Sequence, residues 1–158
     1  MLREHLREIL LTIHIVAIIG WIGFGFCELW LGRLFLRSSD TPVEAPLIRF
    51  IYNCDLFVFI STLVAFGTGI AMALFLGWGF FTRLWLIVLQ SIMIGVLGVV
   101  VIILPSALKL GSLVNALPAG PGPATPDIRK LYRWLEPWYL LMRLAAVVAV
   151  VFAVWKPD

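Results

Sequence analysis

Leu84–Leu108, LWLIVLQSIMIGVLGVVVIILPSAL, runs for 25 residues without a charged side chain. A hydrocarbon core about 30 Å thick is crossed by about 20 residues of helix, so this stretch is long enough to span a bilayer. Working outward from it, three more runs of the same kind occur, at about Ile9–Leu31, Phe50–Phe75 and Pro137–Trp155. Composition agrees: 62% of the 158 residues are hydrophobic, 13% are charged, and the mean hydropathy is +1.04. A soluble domain carries about 25% charged residues, because a compact body in water must coat itself with polar groups. A water-soluble fold is therefore excluded. The sequence predicts an all-α fold, one polytopic membrane domain over 1–158, folded as an antiparallel bundle of four transmembrane helices.

The net charge of +3 comes from basic residues scattered singly beside the apolar runs, which reads as a topology signal and excludes a nucleic-acid-binding stripe. Arg3, Arg7, Arg83 and Lys156 fall on the side of the two termini; Arg33, Arg37, Arg49, Lys109, Arg129, Lys130 and Arg133 fall on the other. Four against seven puts the two longer loops in the cytoplasm and both termini outside, in a bacterial inner membrane. The first run is too long for a signal peptide and no small-residue cleavage site follows it, so it is expected to remain in the mature protein. LGWGFFTR, 76–83, is a tight turn that makes the second and third helices neighbours. The Pro-rich loop 111–126 cannot be helical through LPAGPGPATP. Thr125, Pro126 and Asp127 then form a helix-start signal, and DIRKLYRWLEPW is expected as a short interfacial helix that ends where Pro137 bends the chain into the fourth span.

Polar residues inside the spans are few, and each needs a partner or a task. His14, Trp21 and Glu28 are seven apart, so they share one face of the first helix, where Gly20, Gly23 and Gly25 allow close approach. The second helix carries Asn53 and Asp55, with Thr62 and Gly69 following Asp55 at sevens. The third opens at Arg83 with Gln90 one heptad on, and the fourth carries Arg143. In alternating helices Glu28, Asp55 and Arg143 share one depth, and His14, Arg83 and Gln90 share another. The first layer is readable as a structural ion-pair cluster, or as a proton or cation site built on the acid in excess. The second is readable as a structural histidine, or as a haem or quinone site with His14, Trp21, Gln90 and Arg83 around the cofactor. Cys27 and Cys54 lack any CxxC or CxxH spacing and are expected as small buried hydrophobes.

Ile13–Phe35, IHIVAIIGWIGFGFCELWLGRLF, holds His-x6-Trp-x-Gly followed by an arginine near the helix end. It resembles the first helix of the small membrane proteins grouped with HemJ-type protoporphyrinogen oxidases and CopD-like copper-resistance proteins. TRLWLIVLQ resembles the HemJ-type third helix, which opens on a basic residue, and the ending VVFAVWKPD resembles an uncharacterised four-helix family in that group. The resemblance implies haem b with His14 as axial iron ligand, and it places Arg83 where those proteins carry a lysine. A guanidinium keeps its proton where a buried ammonium can release it. Met1, Met72, Met93 and Met142 are too dispersed for a soft Cu(I) path with Cys27 or Cys54.

One histidine in the spans cannot ligate haem twice, which points to a homo-oligomer or to a subunit of a membrane complex. Gly67 with Ala71, and Gly95 with Gly98, are candidate contact faces. Three functions follow from these residues: a haem- or quinone-associated redox membrane protein using His14, a non-catalytic membrane subunit or scaffold, and a small-ion or proton transporter. No nucleophile elbow, P-loop or zinc signature is present in the sequence.

Overall fold

A computed structural model describes residues 2–156; Met1, Pro157 and Asp158 lie outside the described residues, as do the side chains of Leu2 and Arg3. The ending compared above is thus described only as far as Lys156. The fold is all-α, with α1 Leu2–Arg37, α2 Glu44–Phe75, α3 Leu84–Asn115 and α4 Pro126–Trp155. All four are long and apolar enough to cross a membrane. Each extends beyond the apolar run that predicts it, through flanking residues that include Pro46, Gly111 and Pro126.

One expectation is corrected. The expected interfacial helix is not separate: α4 is continuous from Pro126 through Pro137 to Trp155, and the preceding loop is 116–125, not 111–126. The reason is packing. Ile128, Tyr132, Leu135, Tyr139, Met142 and Ala146 are all buried, at alternating spacings of four and three, so one stripe continues unbroken through the proline. Pro137 removes one helical hydrogen bond at a penalty of about 3 kcal/mol, and burial of six such side chains on both sides of it outweighs that. Thr125 caps the start, its hydroxyl accepting from the Ile128 N–H at 3.4 Å.

The large exposed side chains are mostly apolar, including Val16, Ile19, Trp30, Val101 and Val154, whereas Glu28, Glu44, Thr62 and Arg143 are buried. The tightest packing lies at one end, where Phe35, Ile48, Ile51, Val114, Ile128, Tyr132 and Leu135 are fully enclosed. Glycines set the approach of the helices there. The Tyr132 hydroxyl lies against Gly32 of α1, and the Tyr52 hydroxyl lies against Gly111 of α3.

This end is tied by Glu44 and Arg129. One Glu44 oxygen accepts from the Thr41 N–H at 3.2 Å; the other accepts from the Ala124 N–H at 3.0 Å and lies 2.9 Å from Arg129 Nη2. Arg129 Nη1 donates to the carbonyls of Phe35, Leu36 and Ser38 at 3.1, 3.4 and 2.7 Å, capping the end of α1. The two loops pair directly, Gly122 N–H to Pro42 O at 2.7 Å and Ala45 N–H to Gly122 O at 2.9 Å. Arg49 donates to the Leu117 and Pro118 carbonyls at 2.7 and 2.6 Å. Arg49 and Arg129 thus have bonding partners within the fold as well as a place in the charge count.

Arg129 is partly exposed and keeps its three carbonyl acceptors, so Glu44→Gln is expected to destabilise the fold by about 1–3 kcal/mol, through the weakened bonds to Thr41, Ala124 and Arg129. Thermal unfolding in detergent checks this, with a clearly lowered midpoint as the expected result.

Candidate functional site

α1 packs extensively on α2 and α3 on α4, but α2 meets α3 only sparsely. The resulting gap holds two cavities. Phe66 and Leu97 line both, forming the partition between them.

The larger cavity, about 300 Å³, is walled almost entirely by apolar atoms and lies away from the tightly packed end. Trp21, Trp78 and Trp85 supply flat surfaces, the last two meeting edge to face with centroids 6.1 Å apart. Ala65, Gly69, Ala146 and Ala149 keep the walls thin, and Met72 and Met93 place thioethers in the lining. The α2–α3 turn closes one end. Gly77 and Gly79 take φ of 72° and 74° there, a region that favours glycine.

His14 and Gln90 both line this cavity, but they do not bond to one another. Gln90 is occupied by the turn: its Oε1 accepts from the Phe81 N–H at 2.7 Å and its Nε2 donates to the Gly79 carbonyl at 3.4 Å. His14 Nδ1 lies 2.8 Å from Thr68 Oγ1. The Thr68 hydroxyl has a single hydrogen, and the Val64 and Ala65 carbonyls at 2.7 and 3.1 Å are the acceptors that take it. With those carbonyls taking that hydrogen, the tautomer that pairs with Thr68 is the one carrying Nδ1–H, and the Ala65 carbonyl also lies within hydrogen-bonding reach of the ring. In that neutral tautomer Nε2 carries the lone pair, the atom that can accept a hydrogen bond or ligate a metal centre. Trp21 also lines the cavity, and its indole N–H is buried with no acceptor among the described residues.

Arg83 stands apart. It occupies the N-cap position of α3, is exposed, and is not part of the lining. The Lys156 ammonium lies 5.6 Å from the Trp85 ring centroid at the aromatic wall.

The second cavity, about 70 Å³, borders Asp55, Thr62, Tyr139 and Arg143. Here three helices contribute charge. Arg143 Nη2 of α4 is 2.5 Å from Glu28 Oε2 of α1 and 4.0 Å from Asp55 Oδ1 of α2. The Tyr139 hydroxyl donates to Asp55 Oδ2 at 3.1 Å. Arg143 is 1% exposed and Glu28 0%. The guanidinium fits because its Nε and Cδ lie over Gly25, where a Cβ would collide with them.

Thr68, Tyr139 and Glu44 were not singled out from the sequence. Tyr139 was findable, being four residues before Arg143 and hence on its face. Glu44 was findable too, since Thr41-x-x-Glu44 has capping-box spacing. Thr68 gave no signal, because its role depends on how α1 and α2 dock. Among the described residues no group of three or more His, Cys, Asp or Glu could hold a metal ion; Cys54 is buried as expected, but Cys27 is not, being exposed on α1.

Compared with protein-family models, with curated proteins and with solved structures, the chain matches none.

Gly25→Ala forces a methyl group into the Arg143 side chain, whereas a Cβ at Gly23 meets nothing within 4 Å. The expected outcome is a loss of about 1–3 kcal/mol for Gly25→Ala, and for Gly23→Ala no loss or a gain of up to about 1 kcal/mol from helix propensity. Unfolding midpoints of the two variants in the same detergent check this.

Proposed function

We propose that this chain is an integral membrane protein, an antiparallel bundle of four transmembrane helices, that binds a flat and largely apolar redox molecule of the quinone/quinol class beside His14. The observation that carries the proposal is an apolar, aromatic-walled cavity of about 300 Å³ whose polar equipment is the His14 imidazole, one unpartnered indole N–H and a Gln90 amide already bonded to the turn. The volume lies at the lower end of the range for small-molecule sites, about 300–1,000 Å³. A quinol hydroxyl supplies the donor that His14 Nε2 lacks. A quinone carbonyl supplies an acceptor for Trp21, whose buried and unpaired N–H otherwise carries a penalty of about 1–3 kcal/mol. Apolar ring substituents match the remaining wall.

Haem b is the second reading, and the same histidine favours it. A ring held through Nδ1–H with Nε2 bare is the arrangement that orients an axial ligand, and His14 would hold the iron on one side. Met72 and Met93 supply thioethers, or a second protomer supplies a second histidine. The fit is less complete. Propionates need cations, Arg83 lies outside the lining, and Lys156 at the aromatic wall is the one candidate. A bound haem would supply one-electron chemistry; the chain would supply the ligand nitrogen and a water-poor cavity.

A bacterial cytoplasmic membrane with both termini outside is the accompanying placement, supported by the seven-against-four charge bias and by the resemblance at His14. Assembly with a second copy or a partner subunit is supported by Gly67, Gly95 and Gly98, each of which faces open space.

The test is to purify the protein in mild detergent, extract it with organic solvent for chromatography, and record its absorption with and without dithionite. A quinone is expected to co-purify. In His14→Ala its retention is expected to fall roughly tenfold, the equivalent of about 1.4 kcal/mol from one hydrogen bond made in an apolar cavity. A Soret band lost in His14→Ala would favour haem b instead, and a colourless protein that retains no quinone would contradict both.

A further inference from the structure

The charged cluster beside the smaller cavity plays no part in the function proposed above, and its charge count is unequal. Arg143 serves two carboxyl groups, Glu28 Oε2 at 2.5 Å and Asp55 Oδ1 at 4.0 Å. The groups facing it can be named helix by helix. From α1 comes Glu28, with Cys27 beside it; from α2 comes Asp55, with Cys54 beside it. From α4 come Arg143, Tyr139 and, further along the same stripe, Tyr132. From α3 come only apolar side chains, among them Leu97, Val100 and Ile103. Glu136 of α4 points elsewhere, to Arg33 at 3.8 Å. Arg143 is thus the one cation acting on either acid among the described residues.

Two ionised carboxylates against one guanidinium would leave a net negative charge amid side chains such as Val58, Phe66 and Met142, where the Tyr139 hydroxyl on Asp55 replaces only part of the lost hydration. One added proton removes it. The two acids differ in access. Glu28 is fully enclosed and its Oε1 has no hydrogen-bond partner among the described residues. The Asp55 side chain is 22% exposed and borders the cavity of about 70 Å³, which Thr62, Tyr139 and Arg143 also line. At a liquid share of about 30 Å³ per molecule, that space admits about two waters with the polar partners they require.

We propose that Glu28 and Asp55 hold one proton in common, and that Asp55 exchanges it with water in the smaller cavity. On release the O–H bond of the Asp55 carboxyl breaks, its electron pair stays on the carboxylate facing Arg143, and a cavity water takes the proton on an oxygen lone pair. Uptake is the reverse. Phe66 and Leu97 stand between this cavity and the larger one, and the cluster is proposed as a proton-binding site, not as a channel. This site is independent of what the larger cavity binds.

Dicyclohexylcarbodiimide, an apolar reagent that adds to protonated carboxyl groups, tests the proposal on the full-length protein in detergent, read by peptide mass spectrometry. The expected result is one adduct, at Asp55, formed faster in mildly acidic than in alkaline buffer. Glu28→Gln leaves one acid for one guanidinium. Asp55 then ionises, and its labelling is expected to fall about tenfold or more. No adduct at Asp55 in the folded wild-type protein, an adduct at Glu28 instead, or Asp55 labelling unchanged in Glu28→Gln would each overturn it. Infrared spectroscopy of the wild-type protein gives a reading that needs no variant to fold. An acid carbonyl band that shifts in heavy water supports the proposal, and the absence of such a band overturns it.

Discussion

Arg143 joins three of the four helices. Its guanidinium, carried by α4, meets Glu28 of α1 and lies near Asp55 of α2, and it reaches them only because Gly25 leaves α1 without a side chain at that point. In an apolar surrounding an unpaired charge is far more costly than a paired one, so each partner constrains the position of the other two. The register of α4 against α1 and α2 follows. Tyr139, one turn before Arg143, then lies against Asp55, and Tyr132, another two turns back, presents its hydroxyl to Gly32.

On either side of this cluster the bundle differs in character. Toward the loops 38–43 and 116–125 it is closed, with aromatic and branched side chains enclosed and with Glu44 and Arg129 satisfying the backbone groups that loops and helix ends leave open. Toward the 76–83 turn it is open, because small residues line α2 and α4 where they face α3. There Ala65, Gly69 and Ala146 keep the walls of the larger cavity thin, and His14 lines it.

The sequence made the helices legible because lipid-compatible helices need long uncharged runs, and Leu84–Leu108 is one with no competing interpretation. The heptad spacing of His14, Trp21 and Glu28 put them on one face, and the structure sets His14 and Trp21 at the larger cavity with Glu28 deeper, beside Arg143. Reading Pro137 as a break gave the local rule priority over the stripe from Ile128 to Ala146, which runs through it. Nothing local marks Glu44 as buried or Arg129 as its partner, since their contact depends on how two distant loops pair. Arg83 and Gln90 share a face by spacing, yet one is exposed and the other is held by the turn, because where a helix begins decides what its first residues meet.

The claim on which the account rests is that the rare ionisable side chains of this chain act on one another across helices. A double-mutant cycle of Glu28→Gln and Arg143→Gln, read as unfolding free energy in detergent, tests it most directly. A coupling energy of roughly 1–3 kcal/mol is predicted for groups in contact. Additivity of the two substitutions to within about 0.5 kcal/mol, as for independent sites, would contradict it.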